Sequence, residues 1–176
     1  MFFKVNYFIQ DFVKKYGVPK RVLDVGSRHI NGTVKDCIRE AEMGAPDEII
    51  GIDFVDGENV DIVMNGHDLV EKFGENSFDA VMCTETLEHD NKFWITVEQM
   101  RKVVKPGGWL LITVPGIHFF RHDYPSDYYR FTDSALKEVM FEGFEDVMVE
   151  TYSDDNDPVK EKPNDSVLGY GRKPLK

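Results

Sequence analysis

At 176 residues the chain fits one domain. With 41% hydrophobic and 12% aromatic residues it has enough apolar material for a core, which excludes wholesale disorder. Its 32 acidic and 21 basic residues leave a net charge of −11, and the basic residues are scattered among carboxylates, which argues against nucleic acid as a partner.

Val5, Phe8, Ile9, Phe12, Val13 and Tyr16 recur at helical spacing and predict an amphipathic helix over 3–16, ended by Gly17 and Pro19. Residues 21–25 read as a short buried strand running into Gly26. Val34, Cys37, Ile38 and Ala41 predict a second helix, closed at 44–46. Strands are expected at 48–53, 60–64 and 78–83, with a short helical piece near 69–73. Phe93, Val97, Met100 and Val104 predict a long helix stopped by Pro106-Gly107-Gly108. The fifth strand, 109–114, is nearly all apolar, as burial on both faces requires. Thr132, with Asp133 behind it, opens a last helix carrying Leu136, Val139 and Met140. Residues 145–152 and 166–172 are strand-like and flank a polar, proline-containing loop over 153–165.

Strands alternating with helices call for a parallel sheet covered on both faces. The last two strands lack a helical crossover and should pair antiparallel. One α/β domain spans 1–176: an N-terminal helix within 1–17, a core over 20–150, the 153–165 loop and a last strand at 166–172. Cys37 and Cys83 read as small buried hydrophobes in a reducing compartment. No uninterrupted apolar segment has the length of a signal or membrane span, so a soluble, cytoplasmic protein without membrane association is expected.

In open α/β sheets, ligands bind outside the carboxyl ends of the strands. Asp24 and Gly26 end strand one and Asp53 ends strand two. Residues 65–68, 84–89 and 115–129 follow strands three, four and five. Gly26 permits a tight turn and close backbone approach. Asp53 holds the acidic position that accepts ribose hydroxyls in nucleoside binders. The loop Gly26-Ser27-Arg28-His29-Ile30-Asn31-Gly32 lacks the second glycine of G-x-G-x-x-G, which disfavours a pyrophosphate cofactor and a nicotinamide-dependent dehydrogenase.

Four segments taken together resemble successive motifs of the class I S-adenosylmethionine-dependent methyltransferases. They are Val22-Leu23-Asp24-Val25-Gly26-Ser27, the acidic Asp53, Ser77-Phe78-Asp79-Ala80-Val81 with Thr86-Leu87-Glu88-His89, and Lys105-Pro106-Gly107-Gly108-Trp109-Leu110. The resemblance covers about 20–150 and extends to Asp127-Tyr128-Tyr129-Arg130-Phe131-Thr132. It implies a Rossmann-like, doubly wound, seven-stranded sheet, mostly parallel with the last strand antiparallel, and S-adenosyl-L-methionine as cofactor. Carried over, Asp24 sits near the amino-acid part of the cofactor. Gly26 packs under it, with Ser27 in the same loop. Asp53 binds the ribose, Phe54 lies beside the adenine, and Asp68-Leu69 take the position near the adenine amino group. Thr84 and Glu85 line the methionine end. The later glycine of the loop is displaced to Gly32, and the Asp24-to-Asp53 spacing is longer than usual.

Methyl transfer needs alignment, exclusion of water and, for a hydroxyl or ammonium acceptor, a base. His118, His122 and Glu85 are the candidate catalytic groups, with His89 beside them. Glu85, Glu88 and His89 could also hold a divalent metal with His118 or His122, but Glu-His after strand four is widespread in the family and no metal ligand is assigned. Tyr124, Tyr128, Tyr129 and Phe131 could wall the acceptor or pack the next helix. Arg130 could bind an anionic acceptor or pair with a carboxylate. Acceptor recognition should come from the N-terminal helix, residues 115–131 and the 153–165 loop. The acceptor is a small molecule or a protein. The alternative is a non-catalytic cofactor-binding partner or regulatory subunit with the same fold.

Overall fold

In the computed structural model, which describes residues 3–30, 32–122, 126–153 and 165–176, alternate residues of the central strands point to opposite faces of one sheet, as the period of an extended chain requires. Val22, Ala80, Met82 and Leu111 face one side; Leu23, Val81, Cys83, Leu110 and Ile112 face the other. Two apolar faces need two layers of cover. The first side packs on α1 (Phe3–Tyr16) and α2 (Val34–Glu40). The second packs on α3 (Leu69–Phe73), α4 (Phe93–Val103) and a π-helical segment, Ala135–Met140. The stripe of α1 is buried at Val5, Phe8, Ile9, Phe12 and Val13.

The strands are β1 (Arg21–Val25), β2 (Glu48–Asp53), β3 (Ile62–Val63), β4 (Phe78–Thr84), β5 (Val104–Pro115), β6 (Glu145–Ser153) and β7 (Asp165–Arg172), in the order β3-β2-β1-β4-β5-β7-β6. β1 through β5 pair in parallel, while β7 is antiparallel to both β5 and β6. This is the doubly wound Rossmann-like sheet expected. The chain winds outward from β1 to β3 and then crosses back to β4, which opens a crevice at the carboxyl ends of β1 and β4.

Three elements depart from the sequence pattern. β3 is two residues long rather than five, because the Asp61 carboxylate accepts the Gly51 N–H at 2.7 Å in place of a strand carbonyl. α4 ends at Val103, and Val104 already pairs with Phe78 in β5. The Pro-Gly-Gly turn is therefore a bulge inside β5, where Gly107 donates to Lys173 O and Lys173 donates to Gly108 O, both at 2.8 Å. The last helix is π-helical: Phe141 N donates to Leu136 O, and the wider turn buries Leu136, Met140 and Phe141 while Val139 stays exposed.

Candidate active site

The carboxyl ends of β1, β2, β3 and β4 enclose a cleft of about 450 Å³. Asp24, Gly26, Ser27, Asp53, Phe54, Thr84, Glu85 and His122, all singled out from the sequence, line it together. Gly26 has φ 79°, and a Cβ there would lie 2.0 Å from Thr86 Oγ1, so the turn after β4 rests directly on this glycine. Ser27 and Asn59 exchange hydrogen bonds: Ser27 Oγ donates to Asn59 O and Asn59 Nδ2 donates to Ser27 O, each at 2.9 Å. The long segment between β2 and β3 is thereby fastened to the loop after β1. The Asp53 carboxylate accepts the N–H groups of Val55 at 2.9 Å and Arg28 at 3.4 Å, which aims it along the cleft edge. Phe54 is half-exposed beside it.

Asp24 is buried, and burial raises its pKa to about 7; a hydrogen bond from Asn59 offsets part of the rise, and the charges of Asp53 and Asp61 add to it. Glu85 has φ 48°, a left-handed conformation that a non-glycine residue adopts at a cost of order 1–3 kcal/mol. Neither of its carboxylate oxygens finds a hydrogen-bond partner among the described residues. Desolvation, then the charge of Glu88, hold its pKa well above the usual carboxylate range.

After β4, a 3-10 turn, Leu87–His89, carries Glu88, which is fully buried. His122, on the segment after β5, places Nε2 3.7 Å from Glu88 Oε1, and that carboxylate raises its pKa. Its ring meets His89 edge to face, with centroids 4.9 Å apart. Arg130 pairs with Asp127 rather than standing free for an anionic acceptor, and it donates to Phe119 O and Phe120 O. That clasp folds the segment so that Tyr128 N donates to Glu88 O at 2.8 Å and its ring reaches the cleft. Phe131 packs in the core against Phe93 instead. Tyr124 and residues 154–164 of the expected recognition loop lie outside the described residues, and the described part of α1 does not line the cleft.

Three expected positions are corrected. Leu69 is fully buried in the core and Asp68 is exposed outside the cleft, because Asn65 caps the turn Gly66–Asp68 by accepting His67 N at 3.0 Å. Met64, Asn65, Gly66 and His67 line the cleft in their place. His118 is exposed and outside the cleft, since Asp165 accepts both Gly116 N and His118 N and draws the loop toward β7. Asp90, which accepts Thr96 Oγ1 at 2.6 Å and faces His67 Nε2 at 3.0 Å, also borders the cleft; no sequence spacing marks this pair.

No curated protein sequence matches the chain. A family model described as a methyltransferase domain matches residues 3–146. The chain belongs to that family. It is a methyltransferase of the class I fold, and S-adenosylmethionine is its cofactor. The fold is also that of a SAM-dependent methyltransferase from Archaeoglobus fulgidus, at 17% identity over 96% of this chain and 94% of the other, with a TM-score of 0.63. A 1,6-didemethyltoxoflavin-N1-methyltransferase from Burkholderia thailandensis, bound to 1,6-didemethyltoxoflavin and S-adenosylhomocysteine, matches at 17% identity over 96% and 77%, TM-score 0.66. Phosphoethanolamine N-methyltransferase 2 of Haemonchus contortus, bound to phosphomonomethylethanolamine and S-adenosylhomocysteine, matches at 20% identity over 98% and 53%, TM-score 0.62.

The state of Asp24 gives this methyltransferase a pH signature. In the free protein the unfolded chain ionises first, so this residue lowers stability as pH rises from about 4 to about 7. We propose that the ammonium group of the cofactor lies beside Asp24, where it favours the carboxylate. Affinity for S-adenosylmethionine should therefore weaken about tenfold per pH unit below 7 and level off above it. Calorimetry from pH 5 to 8 checks this, with Asp24→Asn expected to give a flat profile.

Proposed function

We propose that this methyltransferase moves the methyl group of S-adenosylmethionine to a small-molecule acceptor, and that Glu85 takes the acceptor's proton. One observation carries the reading. The cleft of about 450 Å³ bordered by Asp24 and Asp53 is also lined, after β4, by Glu85, whose carboxylate oxygens are buried and have no hydrogen-bond partner among the described residues. That volume suits a donor with a small acceptor beside it. Two proteins of like fold hold small acceptors with S-adenosylhomocysteine, which supports the same reading.

In the reaction an acceptor lone pair attacks the methyl carbon in line with the sulfur. The new bond forms as the carbon–sulfur bond breaks, its electron pair stays on sulfur as a neutral thioether, and the acceptor's proton passes to Glu85. Burial and the charge of Glu88 favour the protonated form of Glu85, and a sulfonium cation in the cleft favours its ionised form. Ionised in a dry site, it is a stronger base than a surface carboxylate.

The test is calorimetry with S-adenosylmethionine and S-adenosylhomocysteine, followed by an acceptor panel of phenols, catechols, amines and thiols read by S-adenosylhomocysteine formation. Binding of both and turnover with at least one class are expected. A folded protein that binds both and turns over none would establish the non-catalytic partner instead.

A further inference from the structure

Three side chains beside Glu85 are arranged in a way that proton transfer to Glu85 does not explain. Glu88 is fully buried, and among the described residues neither of its carboxylate oxygens has a hydrogen-bond partner. What faces Glu88 Oε1 is two imidazole nitrogens, His89 Nε2 at 3.6 Å and His122 Nε2 at 3.7 Å. These separations are too long for hydrogen bonds. They are close to the roughly 3.4 Å that separates two ligand atoms, each about 2.1 Å from a tetrahedral metal. One ligand atom from each of the three residues lies within 4.8 Å of the others.

The far side of each ring fits the same purpose. His89 Nδ1 is 2.5 Å from Ser126 O, a carbonyl that can only accept, so Nδ1 carries a proton and Nε2 is the nitrogen available to ligate on the side of Glu88. His122 Nδ1 is 3.4 Å from Phe120 O, a carbonyl that Arg130 holds in place. An oxygen behind Nδ1 that orients Nε2 is the usual outer partner of a metal-bound histidine.

We propose that Glu88, His89 and His122 bind a divalent first-row transition metal, Zn²⁺ or Co²⁺ in preference to Mg²⁺, at the acceptor end of the cleft. Two imidazoles with one carboxylate favour such ions over oxygen-seeking Mg²⁺. His89 and His122 both line the cleft, so the remaining coordination position opens toward it. There a metal would hold an acceptor hydroxyl oxygen and acidify it before its proton passes to Glu85. This assigns a hydroxyl-bearing acceptor, and that part rests on the methyl-transfer reading; metal binding does not.

The test titrates Zn²⁺, Co²⁺ and Mg²⁺ separately into the metal-free full chain without S-adenosylmethionine, by calorimetry and by the visible ligand-field bands of Co²⁺. Stoichiometric Zn²⁺ and Co²⁺ binding is expected. The near-isosteric Glu88→Gln should weaken it at least about a hundredfold, and His122→Gln should alter the Co²⁺ spectrum. Thermal melting of metal-free Glu88→Gln beside the parent, with a cooperative transition in both, shows that lost binding is not lost structure. Zn²⁺ affinity equal in parent and Glu88→Gln would overturn the site. Loss of cofactor binding alone would strike the methyl-transfer reading and leave this one standing.

Discussion

Glu85→Gln should lower kcat by a factor of about 10²–10⁴, the contribution typical of a positioned general base, while leaving the affinity for S-adenosylmethionine within a few-fold of the parent. Glutamine keeps the shape of the side chain and cannot accept the acceptor's proton. The variant should also be at least as thermostable, because the Glu85 carboxylate oxygens are buried without a hydrogen-bond partner among the described residues and near the charge of Glu88. Single-turnover kinetics with calorimetry separates these effects. A loss of cofactor affinity matching the loss of rate would move Glu85 from proton transfer to donor binding. Unchanged turnover would remove it from the chemistry altogether.

Gly26→Ala is the second large effect. The added methyl would meet Thr86 Oγ1 at 2.0 Å and Cγ2 at 2.5 Å, on a backbone with φ 79° that alanine rarely adopts. Strain of about 1–3 kcal/mol and overpacking of about 1–3 kcal/mol act together. Melting should fall by roughly 5–20 °C, at 2–4 °C per kcal/mol for a chain of this size. Thr86→Gly in the same chain removes the clash and leaves the backbone strain, so it should restore part of the loss. No recovery in the double variant would show that the close contact is not the cause.

Most of the fold was legible because burial writes a strong period into sequence. The apolar runs of β1, β2 and β5 and the stripe of α1 each show a pattern that only one element type fits. Where the structure departs, a local hydrogen bond overrode the pattern. The Asp61 side chain replaced a strand carbonyl and shortened β3, and the bond from Phe141 N to Leu136 O widened the last helix and turned Val139 outward. The site was readable where a residue ends a buried strand, as Asp24, Asp53 and Thr84 do, because the strand fixes its direction. His118 and Asp68 sit on turns whose course depends on distant or capping partners, Asp165 for one and Asn65 for the other. The facing of Glu88 by His89 and His122 depends in the same way on Arg130 and Asp127, which no spacing reveals.

The reciprocal bonds between Ser27 and Asn59 bear on how the donor is received. A glycine loop that binds by closing must give up its conformational freedom at the moment of binding, and affinity falls by that amount. Here the freedom is surrendered during folding, when the segment between β2 and β3 locks onto the loop. The loop after β1 is thus preorganised, and the segment between β2 and β3 acts as a splint: trimmed so that Asn59 is lost, it would leave that loop to order itself around each incoming ligand.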